Sequence, residues 1–153
     1  MKKFPAGRWG RMAMCFHQAP LRAPFRPFAA MVFAWLDGKV LLCNIPDRGW
    51  CIPSGRVEAC EDSVEAAHRE TLEEGGALIE NLRYLGCYEI FSKRKTMWAE
   101  AYSANIKELV DIPEGSESQE RKLVEAKKLP CCYHMWDPLT EAVFEHARSV
   151  SER

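Results

Sequence analysis

Three glutamates at helical spacing constrain this chain more than any other feature. Glu70, Glu73 and Glu74 lie in the stretch from Gly55 to Ala77. Because an α-helix turns by about 100° per residue, their carboxylates fall within an arc of about 100° on one face. Like charges so close together are unfavourable unless a cation lies among them. A hard divalent ion such as Mg²⁺ or Mn²⁺ prefers oxygen ligands, so the pattern predicts a helix that carries a metal site.

The residues around the three glutamates predict where this helix begins and ends. Asp62 is the expected N-cap, because Glu65 stands three residues later as in a capping box. Gly75 and Gly76 are expected to end the helix, since glycine accepts the left-handed conformation of a C-cap. A turn at residues 53–55 leads into the segment. The side chains expected on the buried face are Val64, Ala67, Thr71 and Leu72.

The fixed positions of this segment resemble the Nudix box, G-x5-E-x7-R-E-U-x-E-E-x-G-U, in which U is an apolar residue. Gly55 and Glu61 fill its first two positions, and the run from Arg69 to Ala77 fills the rest. Two positions differ: Thr71 replaces an aliphatic residue, and Ala59-Cys60 replaces the Pro-Gly or x-Gly that commonly precedes the first glutamate. Neither change removes a metal ligand. An acidic helix face alone is usually solvated surface, but a pattern with this many fixed positions is specific.

The resemblance implies a fold, an ion and a set of ligands. The fold is an α/β (α+β) sandwich in which a mixed β-sheet lies between helices. The implied metal ligands are Glu70, Glu73, Glu74 and the carbonyl of Gly55, which would hold Mg²⁺ or Mn²⁺. Arg69 is expected to pair with a neighbouring box glutamate and to fix its rotamer.

A carboxylate from a later loop often completes such sites in the family. Glu117 and Glu120 are the candidates, because they lie six and three residues before Leu123, where the last strand is expected to begin. We favour Glu117, although solvation in a polar loop explains either glutamate about as well. A box carboxylate or one outside the box would accept the proton of the attacking water. The predicted catalytic residues are Glu70, Glu73, Arg69 and Glu117.

The activity that the resemblance implies is hydrolysis of a nucleoside diphosphate linked to another group. Cations are needed there, because phosphate oxygens repel a nucleophile and a metal lowers the pKa of bound water. Nucleoside triphosphates, modified nucleotides and sugar nucleotides all stay open as substrates, since the sequence tags of the ADP-ribose, NADH and coenzyme A enzymes are missing. Four aromatic residues are candidates to stack on a base, although each is more often a core or rim residue: Tyr88, Phe91, Trp98 and Trp136.

Two other functions of the same fold stay open from the sequence. One is a nucleotide-binding module that is catalytically inert. The other is an isomerase acting on a prenyl diphosphate, which would need further catalytic Cys and Glu positions. A small-molecule diphosphate is the expected ligand in each case. With a net charge of -1, no nucleic-acid or membrane partner is expected, and a homodimer stays open.

Length and composition predict one compact domain over residues 1–153, with about 28–147 placed by the resemblance. The 153 residues are 47% hydrophobic, enough to bury a core. Positive charge is concentrated at the N-terminus, where six basic residues precede the first acid, Asp37: Lys2, Lys3, Arg8, Arg11, Arg22 and Arg26. We interpret residues 1–25 as a solvated or flexible tail, and attraction of a polyphosphate as the less favoured alternative.

The seven cysteines show no disulfide or metal-binding spacing. There is no C-x-x-C, and Cys131 is adjacent to Cys132. A reducing cytoplasm is therefore the expected location. No run of 18 apolar residues exists, so neither a membrane span nor a cleaved signal is expected.

The rest of the chain predicts strands and one more helix. Residues 28–36 and 39–45 are β-rich runs separated by Asp37-Gly38, a strong hairpin signal. Residues 82–91 and 96–106 form a second such pair. The polar segment 111–122 is predicted to be an exposed, mobile loop. Asp137-Pro138 begins a final helix with Leu139, Val143 and Ala147 on one side.

Overall fold

The computed structural model of the chain describes residues 2–153, which form nine strands and three α-helices. The strands are β1 (Gly7–Trp9), β2 (Met12–Gln18), β3 (Ala29–Leu36), β4 (Lys39–Ile45), β5 (Gly49–Cys51), β6 (Ser54–Arg56), β7 (Ala77–Phe91), β8 (Thr96–Leu109) and β9 (Glu120–Glu125). The helices are α1 (Ser63–Gly75), α2 (Leu129–Cys132) and α3 (Pro138–Ser151), and a 3₁₀ turn at Ala126–Lys128 precedes α2.

The strands belong to one mixed sheet. Its main path runs β1-β2-β7-β8-β3-β4-β5, with β6 paired to β3 and β9 paired to β4. Strands β3 and β8 are parallel, whereas the other pairs are antiparallel. A parallel pair needs a long connection, and the chain between β3 and β8 includes α1. This mixed sheet with helices confirms the predicted fold class.

The side chains of β3 point alternately to the two faces of the sheet, and helices pack on both faces. Val32 packs in a cluster with Ala66 and Ala67 of α1, whereas Phe33 packs with Leu139 and Val143 of α3. Successive side chains of a strand point to opposite faces, so α1 and α3 lie on opposite sides. Both α3 residues are fully buried, and each contributes on the order of 1.5–3 kcal/mol through burial. The apolar face predicted for the final helix is therefore confirmed.

Both predicted hairpins are present. At the first turn, Asp37 and Gly38 have φ values of 51° and 76°, as a two-residue turn between right-twisted strands requires. The second hairpin closes at the pair Phe91 and Thr96, and its strands extend further than predicted, from Ala77 and to Leu109. Gly86 lies at an irregularity in this pairing with φ 146°, and a Cβ there would overlap the carbonyl oxygen of His17.

The interpretation of the N-terminal segment as a solvated or flexible tail is wrong. Strand β2 pairs with β7 over six residues, from Ala13 opposite Phe91 to Gln18 opposite Gly86. Met14 and Phe16 are buried in the core, and Arg22 forms an ion pair with Glu100 at 3.6 Å. The alternating apolar side chains of β2 therefore decide that this segment joins the sheet despite the basic residues around it, because their burial stabilises the fold.

Three local expectations also need correction. Val64 is 40% exposed rather than buried, because the buried face of α1 is formed by small residues such as Ala66 and Ala67. Leu72 is only partly buried. Strand β9 begins at Glu120 and not near Leu123, so the loop after β8 is shorter than predicted.

The cysteines and the helices add two observations. All seven cysteines are free thiols, with Cys43, Cys51 and Cys87 buried. Among residues 2–153, the helices are too short or too polar to cross a bilayer.

Candidate active site

Helix α1 presents its acidic face to a cleft of about 630 Å³. The capping box at Asp62 and Glu65 is formed, with both reciprocal hydrogen bonds, and Gly76 ends the helix at φ 59°. These caps fix the register of the helix, and the register places the three helical glutamates, Glu70, Glu73 and Glu74, on the cleft. The cleft is lined by Arg48, Ser54, Gly55, Arg56, Glu58, Arg69, Glu70, Glu73, Glu74 and residues 113–117.

Arg69 organises the carboxylates of the box. Its guanidinium donates two hydrogen bonds to Glu61, at 2.8 and 2.9 Å, and one to Glu70 at 2.7 Å. A weaker bond reaches Glu73 at 3.2 Å. The hydrogen bonds from Arg69 lower the pKa of Glu61 to about 2, so this carboxylate stays ionised. Bidentate pairing of this kind fixes both partners, and the first glutamate of the box thus anchors Arg69.

Glu74 is the most deeply buried carboxylate of the cleft. Only 8% of the residue is exposed, and its Oε1 accepts a hydrogen bond from the Ser54 backbone N–H at 2.9 Å. Burial raises the pKa of this carboxyl to about 8 despite that hydrogen bond, and the neighbouring Glu70 raises it further. Burial also raises the pKa of Glu70, against the opposing effect of Arg69. Two partly buried acids in one cleft would be stabilised as carboxylates by a cation.

Gly55 lies directly against the Glu70 carboxyl group. A Cβ at position 55 would overlap the carboxyl carbon and both of its oxygens. The glycine is therefore required by this close approach of backbone and side chain, and its φ is not in the left-handed region that favours glycine. Residue 55 also pairs with Ala30 of β3, which ties the position of the carboxylate to the sheet.

The two departures from the box pattern leave the site intact. The Thr71 hydroxyl donates to the Ala67 carbonyl one turn earlier at 2.7 Å, so its polar atom is satisfied inside the buried face. Cys60 has φ 66°, a left-handed conformation that glycine adopts without strain. Arg26 donates to the carbonyls of Glu58 and Glu61 and so holds this turn from the N-terminal side.

The loop before β9 brings Glu117 to the cleft. Glu117 and Glu114 both line it, whereas Glu120 begins β9 and does not line it. The structure thus places the favoured loop candidate beside the box carboxylates and adds Glu114, which the sequence did not single out. The catalytic role of Glu117 stays a prediction.

A second cavity adjoins the acidic cleft. It has a volume of about 330 Å³, and four residues line both spaces: Arg48, Ser54, Gly55 and Arg56. Its other walls are mainly apolar and aromatic, and they include Trp9, Phe28, Phe33, Tyr88, Tyr133 and Phe144. Trp9 and Phe28 pack with ring centroids 5.8 Å apart. An aromatic cavity that opens onto a charged cleft fits a ligand with a planar apolar part and an anionic part.

Sequence reasoning identified only part of this cavity. Of its four aromatic candidates, Tyr88 lines the cavity. Trp136 packs on Phe144 outside it, Trp98 packs on His17, and Phe91 is 44% exposed. Arg48 was missed, because a lone arginine just before the short strand β5 carries no functional signal in the sequence. Trp9 was missed because its segment was interpreted as a tail.

The donor set of the cleft fits a hard divalent ion. Glu70, Glu73 and Glu74 offer carboxylate oxygens and Gly55 offers a backbone carbonyl, the ligand types that Mg²⁺ and Mn²⁺ prefer. The raised pKa values of Glu70 and Glu74 show a cleft in which two acids are costly to ionise without a counter-charge. A bound divalent cation would supply that charge.

Comparisons with known proteins agree with this architecture. The family described as NUDIX domain matches residues 25–149. The "Putative 8-oxo-dGTP diphosphatase YtkD" of Bacillus subtilis (strain 168) is 41% identical over 83 residues, covering 54% of this chain and 52% of that protein. The matched segment thus spans about half the length of this curated relative.

Solved structures show the same fold. A mutant of the Bacillus subtilis pyrophosphohydrolase BsRppH superposes with a TM-score of 0.82 at 24% identity, covering 96% of this chain and 98% of that one. A NUDIX hydrolase from Nitrosomonas europaea gives a TM-score of 0.63 at 20% identity, over 81% of this chain and 90% of that one.

Because the family match extends over most of the chain, the protein belongs to the Nudix family. The chemistry that defines the hydrolases of this family is cleavage of phosphoanhydride bonds. Of the charged positions of the family's box, Arg69, Glu70, Glu73 and Glu74 line the acidic cleft, and Glu61 is hydrogen-bonded to Arg69.

Proposed function

We propose that this protein is a divalent-metal-dependent pyrophosphohydrolase that acts on a nucleotide. The observation that carries the proposal is the junction of the two cavities at Arg48 and residues 54–56. A base in the aromatic cavity would direct its phosphates across these residues toward the box carboxylates. Neither space alone would distinguish a nucleotide from other anions or from other aromatic ligands.

The residues that would hold the ion are Glu70, Glu73 and Glu74 with the Gly55 carbonyl. A bound Mg²⁺ or Mn²⁺ neutralises phosphate charge and lowers the pKa of coordinated water. Glu74 is held in place by the Ser54 N–H, and Glu70 by Arg69. The carboxylates are thus oriented before any ligand arrives, which is the condition for electrostatic catalysis at low reorganisation cost.

The remaining charged groups have separate tasks. Arg48 and Arg56 lie where the two cavities meet and would bind the phosphate oxygens of the substrate. Arg69 positions Glu61, Glu70 and Glu73 and has little freedom to do more, because its donors are engaged. Glu117 would accept the proton of the attacking water from the loop side of the cleft.

The cavity favours a substrate of nucleotide size with a large aromatic base. A volume of about 330 Å³ with six aromatic side chains in its wall suits stacking on a large planar base such as a purine. The relative YtkD carries the name of an 8-oxo-dGTP diphosphatase. We infer that purine nucleoside triphosphates, including those with an oxidised base, are the substrates to test first.

A substrate panel tests the proposal. The full chain would be assayed for released phosphate and pyrophosphate on purine and pyrimidine triphosphates, 8-oxo-dGTP, a nucleotide sugar and a prenyl diphosphate, each with Mg²⁺ and with Mn²⁺. Metal-dependent turnover that is fastest with a purine nucleotide supports the proposal. Tight binding of a nucleotide without turnover under every condition would support an inert binding module, and conversion of the prenyl compound without phosphate release would support an isomerase.

A further inference from the structure

Strands β2 and β7 bring together a cysteine, a histidine and a glutamate that the proposed reaction does not use. The Cys15 Sγ lies 3.5 Å from the His17 Nε2 and 3.6 Å from the Glu89 Oε1. The His17 Nε2 lies 2.8 Å from the same Oε1. We call Cys15, His17 and Glu89 the thiol–imidazole cluster. All three ligand atoms lie within 4.8 Å of one another.

The pairing of the two strands creates this cluster. Cys15 lies directly opposite Glu89 in the antiparallel ladder, and His17 lies two residues further along β2. Side chains two apart on a strand share a face, so all three groups converge above the same pair of strands. The intervening residues Met14 and Phe16 pack in the core on the other face. The cluster is therefore separated from the aromatic cavity by the sheet itself.

We propose that the thiol–imidazole cluster binds Zn²⁺, or a similar borderline divalent ion such as Co²⁺. Zinc bonds of about 2.3 Å to sulfur and about 2.0–2.2 Å to nitrogen and oxygen, at tetrahedral angles, require S···N and S···O separations of about 3.6 Å. The observed values are 3.5 and 3.6 Å. The N···O separation should be about 3.4 Å, so the 2.8 Å contact between His17 and Glu89 opens by about 0.6 Å.

The environment of the cluster fits an ion that keeps one open position. The side chains of His17 and Glu89 are 35% and 21% exposed, so an ion can enter and water can occupy the fourth tetrahedral position. The Trp98 ring packs over His17, with centroids 5.9 Å apart and planes at 34°. That contact limits rotation of the imidazole and keeps Nε2 directed at the cluster.

Ligand chemistry separates this site from the acidic cleft. A thiolate and an imidazole favour zinc over magnesium, whereas carboxylates and a carbonyl favour magnesium or manganese. One chain would therefore hold two kinds of ion at two places. Zinc at the thiol–imidazole cluster joins β2 to β7 through side chains, in addition to their backbone hydrogen bonds. Its expected role is to stabilise the N-terminal strands, one of which carries Trp9 into the aromatic cavity.

Metal binding to the full chain tests the proposal. The protein would be stripped with a chelator, returned to excess Mg²⁺ to saturate the acidic cleft, and titrated with Co²⁺ and with Zn²⁺. We expect one Co²⁺ per chain with a near-ultraviolet thiolate-to-cobalt charge-transfer band, displaced by Zn²⁺, and a rise in Tm on Zn²⁺ addition. Cys15→Ser should abolish the band and weaken Zn²⁺ binding by more than about tenfold.

Matched variants control for folding and for the other thiols. Cys131→Ser and Cys60→Ser alter exposed cysteines outside the cluster and should leave the band unchanged. His17→Gln keeps a polar side chain and should lose Zn²⁺ affinity with little change in the metal-free Tm. The proposal is overturned if the wild type shows no charge-transfer band, if Cys15→Ser retains it, or if the band disappears only in a control variant.

Discussion

The acidic cleft and the aromatic cavity share a border but are built in opposite ways. The box residues of the cleft come from one continuous segment, from Gly55 to Glu74, and their positions follow from helix geometry and two caps. The cavity draws Trp9 from β1, Phe28 and Phe33 from the region of β3, Tyr88 from β7 and Phe144 from α3. Local spacing thus encodes the reactive groups, whereas long-range topology shapes the part that would select the ligand.

This difference predicts different kinetic signatures. Changes in the cleft should lower kcat, because its groups act on the charge that develops in the transition state. Changes in the cavity should raise KM with kcat nearly unchanged, since stacking holds ground state and transition state alike.

The largest expected effect is removal of the metal. Excess chelator should abolish turnover, and added Mg²⁺ or Mn²⁺ should restore it, because the buried carboxylates require a counter-charge and the proposed substrate is polyanionic. Phosphate release followed during a titration with EDTA measures this. A bound ion would stabilise the folded protein as well, so circular dichroism in the chelator must show that the fold persists. Full turnover in excess EDTA would remove the proposed mechanism.

Neutralising one box carboxylate should be nearly as severe. Glu74→Gln and Glu70→Gln keep the side-chain size and should each lower kcat by on the order of a hundredfold or more. The fold should persist, and the metal-free Glu74→Gln protein should gain stability near neutral pH, since burial disfavours the ionised form of the carboxyl group that the substitution removes. Glu80→Gln on the exposed side of β7 is the matched control, with wild-type kcat expected. Near-normal turnover in both box variants would mean that the carboxylates are only solvated surface.

Substitution of the loop carboxylate should affect turnover but not metal affinity. Glu117→Gln should lower kcat by about tenfold or more while metal affinity of the free enzyme stays nearly intact, because Glu117 is exposed on the loop and is not a proposed ligand. Glu74→Gln should weaken both. Metal titration paired with turnover decides the point, with Glu120→Gln as the control. If Glu117→Gln has a normal kcat and Glu114→Gln has a lowered one, the proton acceptor of the loop is Glu114 and not Glu117.

The cleft could be predicted from the sequence because its geometry is local. The capping pair Asp62 and Glu65, the stop at Gly76 and the spacing of the glutamates lie within one helix and its flanks, where three-and-four spacing maps directly onto one face. The predicted pairing of Arg69 with a neighbouring box glutamate follows from the same proximity and is observed for Glu70 and Glu73. Its pairing with Glu61 was not predicted, because Glu61 lies before the helix. The prediction that Val64 is buried was wrong, because helix periodicity alone does not say which side of the helix the sheet covers.

The cavity could not be predicted in the same way. Which aromatic residues meet there depends on strand pairings between distant parts of the chain, such as β2 with β7 and β3 with β8. Trp9 reaches the cavity only because residues 7–18 join the sheet, and basic composition hid the apolar alternation of that segment. Arg48 illustrates the same limit, since a lone arginine before a short strand carries no signal until two cavities are seen to meet at it.

Truncation of Trp9 should affect binding more than turnover. Trp9→Ala should raise KM for the preferred nucleotide by about tenfold, as expected for loss of one stacking contact of about 1–3 kcal/mol, with kcat within about twofold of the wild type. Phe91→Ala, a similarly exposed aromatic outside the cavity, is the control and should leave KM unchanged. A drop in kcat without a change in KM would contradict the separation of the two regions.

The smallest expected effect is a pH dependence on the cavity side of the sheet. His146 of α3 is buried against Phe4 and Phe16. Burial lowers the pKa of its imidazole, and the positive charges of Lys2 and Arg153 lower it further, whereas a hydrogen bond to the Leu85 backbone opposes them. As pH falls below about 6.5, the unfolded chain binds a proton at this residue before the folded chain does. The stability contribution of the neutral imidazole is therefore present above that pH and is lost as pH falls through the lowered pKa.

The matched measurement is the free energy of unfolding against pH for the wild type and His146→Gln. Between pH 7 and 5 the wild type should lose stability more steeply, by at most about 1.4 kcal/mol per pH unit for one proton. His134 of the cavity wall also has a pKa lowered by burial and by Arg48, so only the difference between the two proteins isolates residue 146. Equal slopes for wild type and His146→Gln would show that this histidine does not link protonation to the packing of α3, which supplies Phe144 and Thr140 to the cavity wall.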